Sequence, residues 1–98
     1  MKKFTFRKEI FEGRYQSFER DHTTIKLNKK EVGYIGESDW NKYVIRFAIK
    51  KDITKEDPAG FKWVSLKQTF ENEKDAREYI KKNNDIIQNK LDLYYFDD

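Results

Sequence analysis

The feature that most constrains this chain is the alternation of apolar and polar side chains over residues 42–50 and again over residues 61–70. Because successive side chains of a β-strand point to opposite faces, each segment is expected to form a strand with one apolar face. Apolar residues at helical spacing follow directly, and that helix would cover the apolar face. The core residues predicted for the two strands are Tyr43, Ile45, Phe47, Ile49, Val64 and Leu66.

Earlier segments predict further strands. Phe4 and Phe6 alternate with polar residues, which indicates a first strand. Residues 25–35 predict a hairpin, with Asn28 and Lys29 in a tight turn, because asparagine tolerates a positive φ angle.

A helix is predicted after the last strand. Asn72 followed by Asp75 resembles a capping box and would begin this helix, and Asn83 and Asn84 would break or weaken it. The C-terminal segment is too apolar to be a free tail, so part of it is expected to pack back on the domain. The residues expected to do so are Leu93, Tyr94 or Phe96.

These elements predict an α+β fold, an antiparallel sheet of four or five strands with a C-terminal helix packed on one face. We expect one domain over residues 1–98, in which residues 33–84 form a three-strand-plus-helix unit and residues 1–32 add N-terminal strands. The chain has no cysteine, and its basic start lacks the apolar run of a signal peptide. We therefore expect a cytoplasmic protein that does not enter a membrane; its oligomeric state stays open.

Catalytic chemistry is sparse in this sequence. His22 is the one histidine, and no phosphate-binding glycine loop, nucleophile motif or calcium-loop spacing occurs. We expect a protein that is not an enzyme and that needs neither a metal nor another cofactor. Binding is the better functional class.

The predicted open side of the sheet is basic. Residues 42–67 hold seven Lys and Arg against three Asp and Glu, whereas residues 68–98 hold five against eight. Cations beside an indole suit nucleic acid, because they neutralise phosphates while an aromatic ring can stack on bases. The same pattern also suits a merely solvated sheet face, and a net charge of +3 is a weak electrostatic footprint. The side chains predicted to point outward are Val44, Arg46, Ala48, Lys50, Trp63, Ser65, Lys67 and Thr69.

Residues 33–84 resemble a known DNA-binding family. The stretches DWNKYVIRF, KWVSLKQTF and ENEKDAREYI are similar to the AP2-type three-stranded sheet with a helix, and to the related arm-type N-terminal domain of phage and transposon integrases. The resemblance implies that Trp40 and Trp63 are aromatic contacts and that Lys42 contacts a phosphate. An acidic GESD replaces the arginine run of the family, and Ala48 stands where a basic residue is expected.

Two hypotheses about function follow, and we favour the first. In the first, the chain is a nucleic-acid-binding module, with DNA preferred, of the type carried by mobile elements. Its predicted contacts are Trp40, Lys42, Arg46, Lys50, Trp63 and Lys67.

In the second hypothesis, the chain is a phage or plasmid inhibitor of the anti-CRISPR kind. Such a protein would bind a nucleic-acid-handling enzyme through an acidic surface. A structural protein with no ligand stays open as a third interpretation. The predicted acidic surface comprises Glu71, Glu73, Asp75, Glu78, Asp92, Asp97 and Asp98.

Overall fold

Five strands in one antiparallel sheet carry the fold in the computed structural model, which describes residues 2–9, 22–37 and 42–96. Each strand pairs with its neighbour in sequence, in the order β1-β2-β3-β4-β5. Two helices follow the sheet, so the predicted α+β class is confirmed. The elements are β1 (Thr5–Glu9), β2 (His22–Leu27), β3 (Lys30–Glu37), β4 (Tyr43–Lys50), β5 (Phe61–Phe70), α1 (Glu73–Lys82) and α2 (Asn84–Lys90).

The predicted tight turn joins β2 to β3. Leu27 pairs with Lys30, which leaves Asn28 and Lys29 as a two-residue loop. Their φ angles are 55° and 68°, the left-handed values that such a hairpin turn requires at both central positions. Asparagine tolerates this conformation, whereas lysine occupies it at some cost.

Gly33 of β3 pairs with Phe47 of β4 and lies close to the backbone of that strand. A Cβ atom at this position would come within 2.3 Å of the Arg46 carbonyl oxygen and 2.9 Å of Phe47 Cδ1. The pairing of β2 with β3 shifts register nearby, between Ile25 and Lys26. Glycine is therefore required here for the strands to keep their spacing.

Both ends of α1 follow the sequence prediction. The Asn72 side chain accepts a hydrogen bond from the Asp75 backbone N–H at 2.8 Å and so caps the helix. At the other end the Asn83 backbone N–H donates to the Tyr79 carbonyl at 3.0 Å, and α2 begins one residue later. The predicted break at Asn83 and Asn84 is confirmed.

The helices cover one face of the sheet, which we call the helix face. Phe47 and Ile45 of β4 are fully buried there, together with Ala76 and Ile80 of α1. The Phe4 ring lies 5.6 Å from that of Phe47, and this contact ties the segment before β1 to the same core. The other predicted core residues are half-buried: Tyr43, Ile49, Val64 and Leu66.

The segment after α2 packs back on the sheet, as predicted. Its backbone bonds to two strands: the Lys50 N–H donates to the Asp92 carbonyl and the Tyr94 N–H to the Ala48 carbonyl, at 2.8 and 2.9 Å. The Phe96 N–H donates to the carbonyl of β3 residue Glu31 at 2.9 Å. We call residues 91–96 the C-terminal segment; it spans the end of β4 and the start of β3.

Candidate nucleic-acid interface

The sheet face away from the helices, here called the open face, carries a row of side chains that crosses all five strands. Arg7 pairs with Thr24, Thr24 with Tyr34, Tyr34 with Arg46, and Arg46 with Ser65. Directly paired residues lie on the same side of an antiparallel sheet, so all five point away from α1. Within this row, Arg46 lies between Tyr34 of β3 and Ser65 of β5, and both of these side chains carry a hydroxyl group. Alternation within β4 alone had predicted that Arg46 lies on this face.

Arg46 is exposed at the centre of the open face. Its Nη1 donates a hydrogen bond to the Tyr34 hydroxyl at 3.0 Å, and its guanidinium carbon lies 5.9 Å from the centre of the Tyr34 ring. No ion pair joins Arg46 or Lys67 to a carboxylate in the part of the chain that the structure describes. Tyr34 therefore positions the Arg46 guanidinium group but does not neutralise its charge.

The other predicted cations differ in their surroundings. Lys67 is exposed and lies two residues after Ser65. It belongs to an irregularity of the sheet, because three residues of β5 lie opposite one residue of β4 between the pairs Arg46–Ser65 and Val44–Thr69. Lys50 lies 3.7 Å from Asp92, and both side chains are more than half exposed, so this pair is weak. Lys42 pairs with Glu71. Trp40 lies outside the described residues.

Trp63 belongs to a cluster of aromatic rings on the open face. The ring of Phe96 stacks on the indole at 5.6 Å with an interplanar angle of 19°, and Tyr34 and Phe61 meet it edge-on at 5.2 and 5.9 Å. Tyr94 completes the group through contacts with Phe61 and Phe96. Trp63 is nevertheless 46% exposed. We call these five rings the aromatic cluster.

The C-terminal segment changes one prediction about the open face. Ala48 was expected to point to solvent beside Arg46 and Lys50, but it is completely buried. It pairs with Trp63, and its carbonyl accepts the Tyr94 N–H, so the aromatic cluster covers it. Alternation within β4 correctly places Ala48 on the open face. Its burial could not be predicted in this way, because the residues that cover it belong to β5 and the C-terminal segment.

Most of the described residues of the predicted acidic surface have contacts within the chain. Glu71 pairs with Lys42, Asp92 approaches Lys50, and Asp75 contacts the capping side chain of Asn72. Glu78 is exposed on α1. Asp97 and Asp98 lie outside the described residues. Glu73 is the residue of this set with the most contacts.

Glu73 forms ion pairs with two cations of the helix face, Lys8 and Arg77. It accepts a hydrogen bond from the Thr23 hydroxyl, lies 3.1 Å from Lys8 Nζ, and lies 2.9 Å from Arg77 Nη2. Burial alone would raise its pKa, but the hydrogen bonds from Thr23 and Lys8 and the charge of Arg77 outweigh burial and lower the pKa. Glu73 is thus a structural carboxylate rather than a free docking group.

One cleft among the described residues lies elsewhere on the molecule. It has a volume of about 670 Å³ and is formed by the segment before β1 and the junction of the helices, with Phe4 and Asn84 among its lining residues. Among the described residues, no three histidine, cysteine or carboxylate side chains come together as a cation site would require. Neither described helix is long and apolar enough to cross a membrane.

Three residues of the open face were missed in the sequence prediction of the site. Tyr34 pairs directly with Arg46, Arg7 lies on β1 at the far end of the same row, and Phe96 stacks on Trp63. Arg7 had a signal, because it alternates with Phe6 and so belongs to the face opposite the core. Phe96 had none, since its place depends on where the C-terminal segment lies.

Comparisons with family models, curated proteins and solved structures find no match to this chain. The AP2-type resemblance therefore stays a prediction from the residue pattern of residues 33–84.

Proposed function

We propose that this domain is a non-enzymatic nucleic-acid-binding module that contacts its ligand with the open face of the sheet. The observation that carries the proposal is the position of Arg46 and Lys67. Arg46 points away from the described helices, Lys67 is exposed two residues after Ser65 on β5, and neither forms an ion pair within the described residues. Lys50, with only a weak surface partner, adds a third cation on the same face.

Phosphate chemistry explains why this arrangement suits a nucleic acid. A cation that neutralises a phosphate releases condensed counterions, and this release drives binding at low salt. With three or four such contacts, the slope of log K against log salt concentration is about −2 to −3. An exposed indole beside the cations adds a surface on which a base can stack.

The proposal is tested by removing two open-face cations and, separately, two cations of α1. The double variant Arg46→Ala, Lys67→Ala is expected to weaken binding to a labelled oligonucleotide by about 10–100-fold at low salt. It should also make the salt slope shallower by about 1.5, since two phosphate contacts are lost. Fluorescence anisotropy measured over a salt series gives both quantities.

The matched control is Lys74→Ala, Lys82→Ala, which removes the same charge from exposed positions on α1. Affinity and slope should stay close to those of the wild type. Absence of any binding by the wild-type protein to single- or double-stranded DNA or RNA at low salt contradicts the proposal. Equal losses in the two double variants would contradict the assignment of the open face.

The acidic-surface hypothesis receives no specific support from the described contacts. Glu71, Glu73 and Asp92 each lie beside a cation of the same chain, which reduces the charge that they offer to a partner. The hypothesis remains distinguishable by experiment. Glu78→Lys reverses an exposed charge on α1 and should leave nucleic-acid binding intact, whereas it would weaken a complex formed through that surface.

A further inference from the structure

We infer that the open face takes single-stranded nucleic acid rather than a duplex, with an unstacked base placed against Trp63. This inference rests on the proposed function and names the substrate class of the same site. It comes from the aromatic cluster, which neither the alternation pattern nor the family resemblance foresaw. Three rings contact the Trp63 indole, yet the residue as a whole is 46% exposed.

The aromatic cluster fixes the orientation of the Trp63 indole before any ligand binds. Phe96 stacks on Trp63, while Tyr34 and Phe61 meet it edge-on, so the side chain is supported from several sides. The C-terminal segment is itself fixed by the hydrogen bonds from Tyr94 to Ala48 and from Phe96 to Glu31. A side chain ordered before binding loses little conformational freedom when a base stacks on it, and this favours affinity.

Cations lie where the backbone of a stacked nucleotide would pass. Trp63 pairs with Ala48, and Arg46 is two residues from Ala48 along the same strand, a distance of about 7 Å. Lys50 lies two residues from Ala48 in the opposite direction. The indole is therefore flanked along β4 by one cation on each side, as expected for a strand whose base stacks while its phosphates are neutralised.

A duplex does not fit this surface as well. Bases in a double helix are stacked on one another, so they present only their edges in the grooves and cannot offer a ring face to Trp63. Single strands splay their bases onto aromatic side chains. In addition, Tyr94 and Phe96 lie on the open face over the end of β4, and a sheet inserted in a groove would have to accommodate both rings.

The experiment follows the fluorescence of Trp63 directly. Trp40→Phe leaves Trp63 as the one tryptophan in the chain, so the native residue reports on its own stacking. This protein is titrated with a mixed-sequence DNA of about 20 nucleotides, with the duplex of the same sequence, and with the matching RNA. We expect the single strand to quench the fluorescence and to bind about tenfold more tightly than the duplex.

Variants at Trp63 provide the second test. In the wild-type background, Trp63→Ala should weaken single-strand binding about tenfold and leave duplex binding nearly unchanged, so the preference disappears. Trp63→Phe keeps a ring and should retain most of the preference. A thermal melt of each variant shows whether it is folded at the temperature of the titration, and the quenching experiment needs no change at Trp63.

The outcomes separate this inference from the proposed function. Equal, salt-dependent binding of single strand and duplex without quenching overturns the inference and leaves the nucleic-acid-binding function standing. No binding to any of the three probes overturns both. Quenching by DNA and RNA alike supports the inference and means that the 2′-hydroxyl is not read, whereas quenching by one alone supports it and identifies the sugar.

Discussion

The two faces of this sheet carry cations in opposite circumstances. On the helix face, Lys8 and Arg77 converge on one carboxylate, Glu73, which is half-buried and has a lowered pKa. On the open face, Arg46 hydrogen-bonds to a tyrosine, and neither it nor Lys67 pairs with a carboxylate within the described residues. The same residue types thus stabilise the fold on one side and are available to an external anion on the other.

This difference shows that the net charge of the chain does not describe the charge found on each face of the sheet. The protein carries only +3, which by itself would argue against a polyanionic ligand. Acids and bases are distributed unequally about the sheet, however, because the acidic first turn of α1 meets the basic strand β1 on the helix face. Arg46 and Lys67 keep their positive charge among the described residues, and phosphates respond to the local field.

The largest expected effect comes from the helix face. Ile80 is a fully buried residue of α1. Ile80→Ala should lower the free energy of unfolding by about 2–5 kcal/mol because it leaves a cavity in the core. The fraction that remains folded should bind nucleic acid as the wild type does. Urea denaturation measures the first quantity, and titration at low temperature the second. A selective loss of affinity in the folded protein would contradict the separation of the two faces.

A smaller effect on stability is expected at Glu73, the carboxylate that pairs with Lys8 and Arg77 on the helix face. Because the pKa of Glu73 is lowered in the folded protein, its charge stabilises the fold above its unfolded-state pKa of about 4.3. That stabilisation is lost as the pH falls through the folded value. Glu73→Gln should therefore cost about 1–2 kcal/mol at pH 7 and less as the pH falls below about 4. Denaturation curves across this pH range measure the difference, and a penalty independent of pH would argue against the assigned contacts.

Arg46 can be given the carboxylate partner that it lacks among the described residues. Ser65 pairs with Arg46 across β4 and β5, so Ser65→Glu would place a carboxylate directly beside the guanidinium. Affinity for nucleic acid should fall about tenfold, while the free energy of unfolding should change by no more than about 0.5 kcal/mol. Ser65→Gln is the matched control of similar size without charge. If glutamate and glutamine behave alike, electrostatics on this face does not govern binding.

The smallest effect concerns neither face. Lys29 has a positive φ in the β2–β3 turn, which glycine adopts without strain. Lys29→Gly should raise the free energy of unfolding by about 0.5–1 kcal/mol and leave binding unchanged. Thermal denaturation is sufficient to detect it. A loss of affinity in this variant would extend the binding surface to the end of the β2–β3 hairpin.

Local patterns were enough to predict most of the fold. The alternation in β4 placed Ile45 and Phe47 in the core and Arg46 outside, because period-two side-chain direction depends only on a strand forming there. The turn at Asn28 and the cap at Asn72 were predicted for the same reason, since both depend on neighbouring residues alone. These features need no knowledge of which strands meet.

The rest of the site depends on contacts between distant parts of the chain. Glu73 and Lys8 are separated by 65 positions, so no local pattern indicates that this acid is used internally. Ala48 alternates as an exposed residue and is buried by the C-terminal segment, whose Phe96 also supports Trp63. Register across the sheet and the path of that segment decide these contacts, and both are properties of the assembled fold.

The most direct test follows the backbone amide and indole N–H signals of the isotope-labelled protein by NMR during titration with a single-stranded oligonucleotide. We predict that the largest chemical-shift changes occur at Arg46, Ser65 and Lys67 and at the Trp63 indole N–H. Signals of exposed α1 residues such as Lys74 and Lys82 should remain in place. Changes concentrated on α1, with the open face unaffected, would contradict the claim that this face binds nucleic acid.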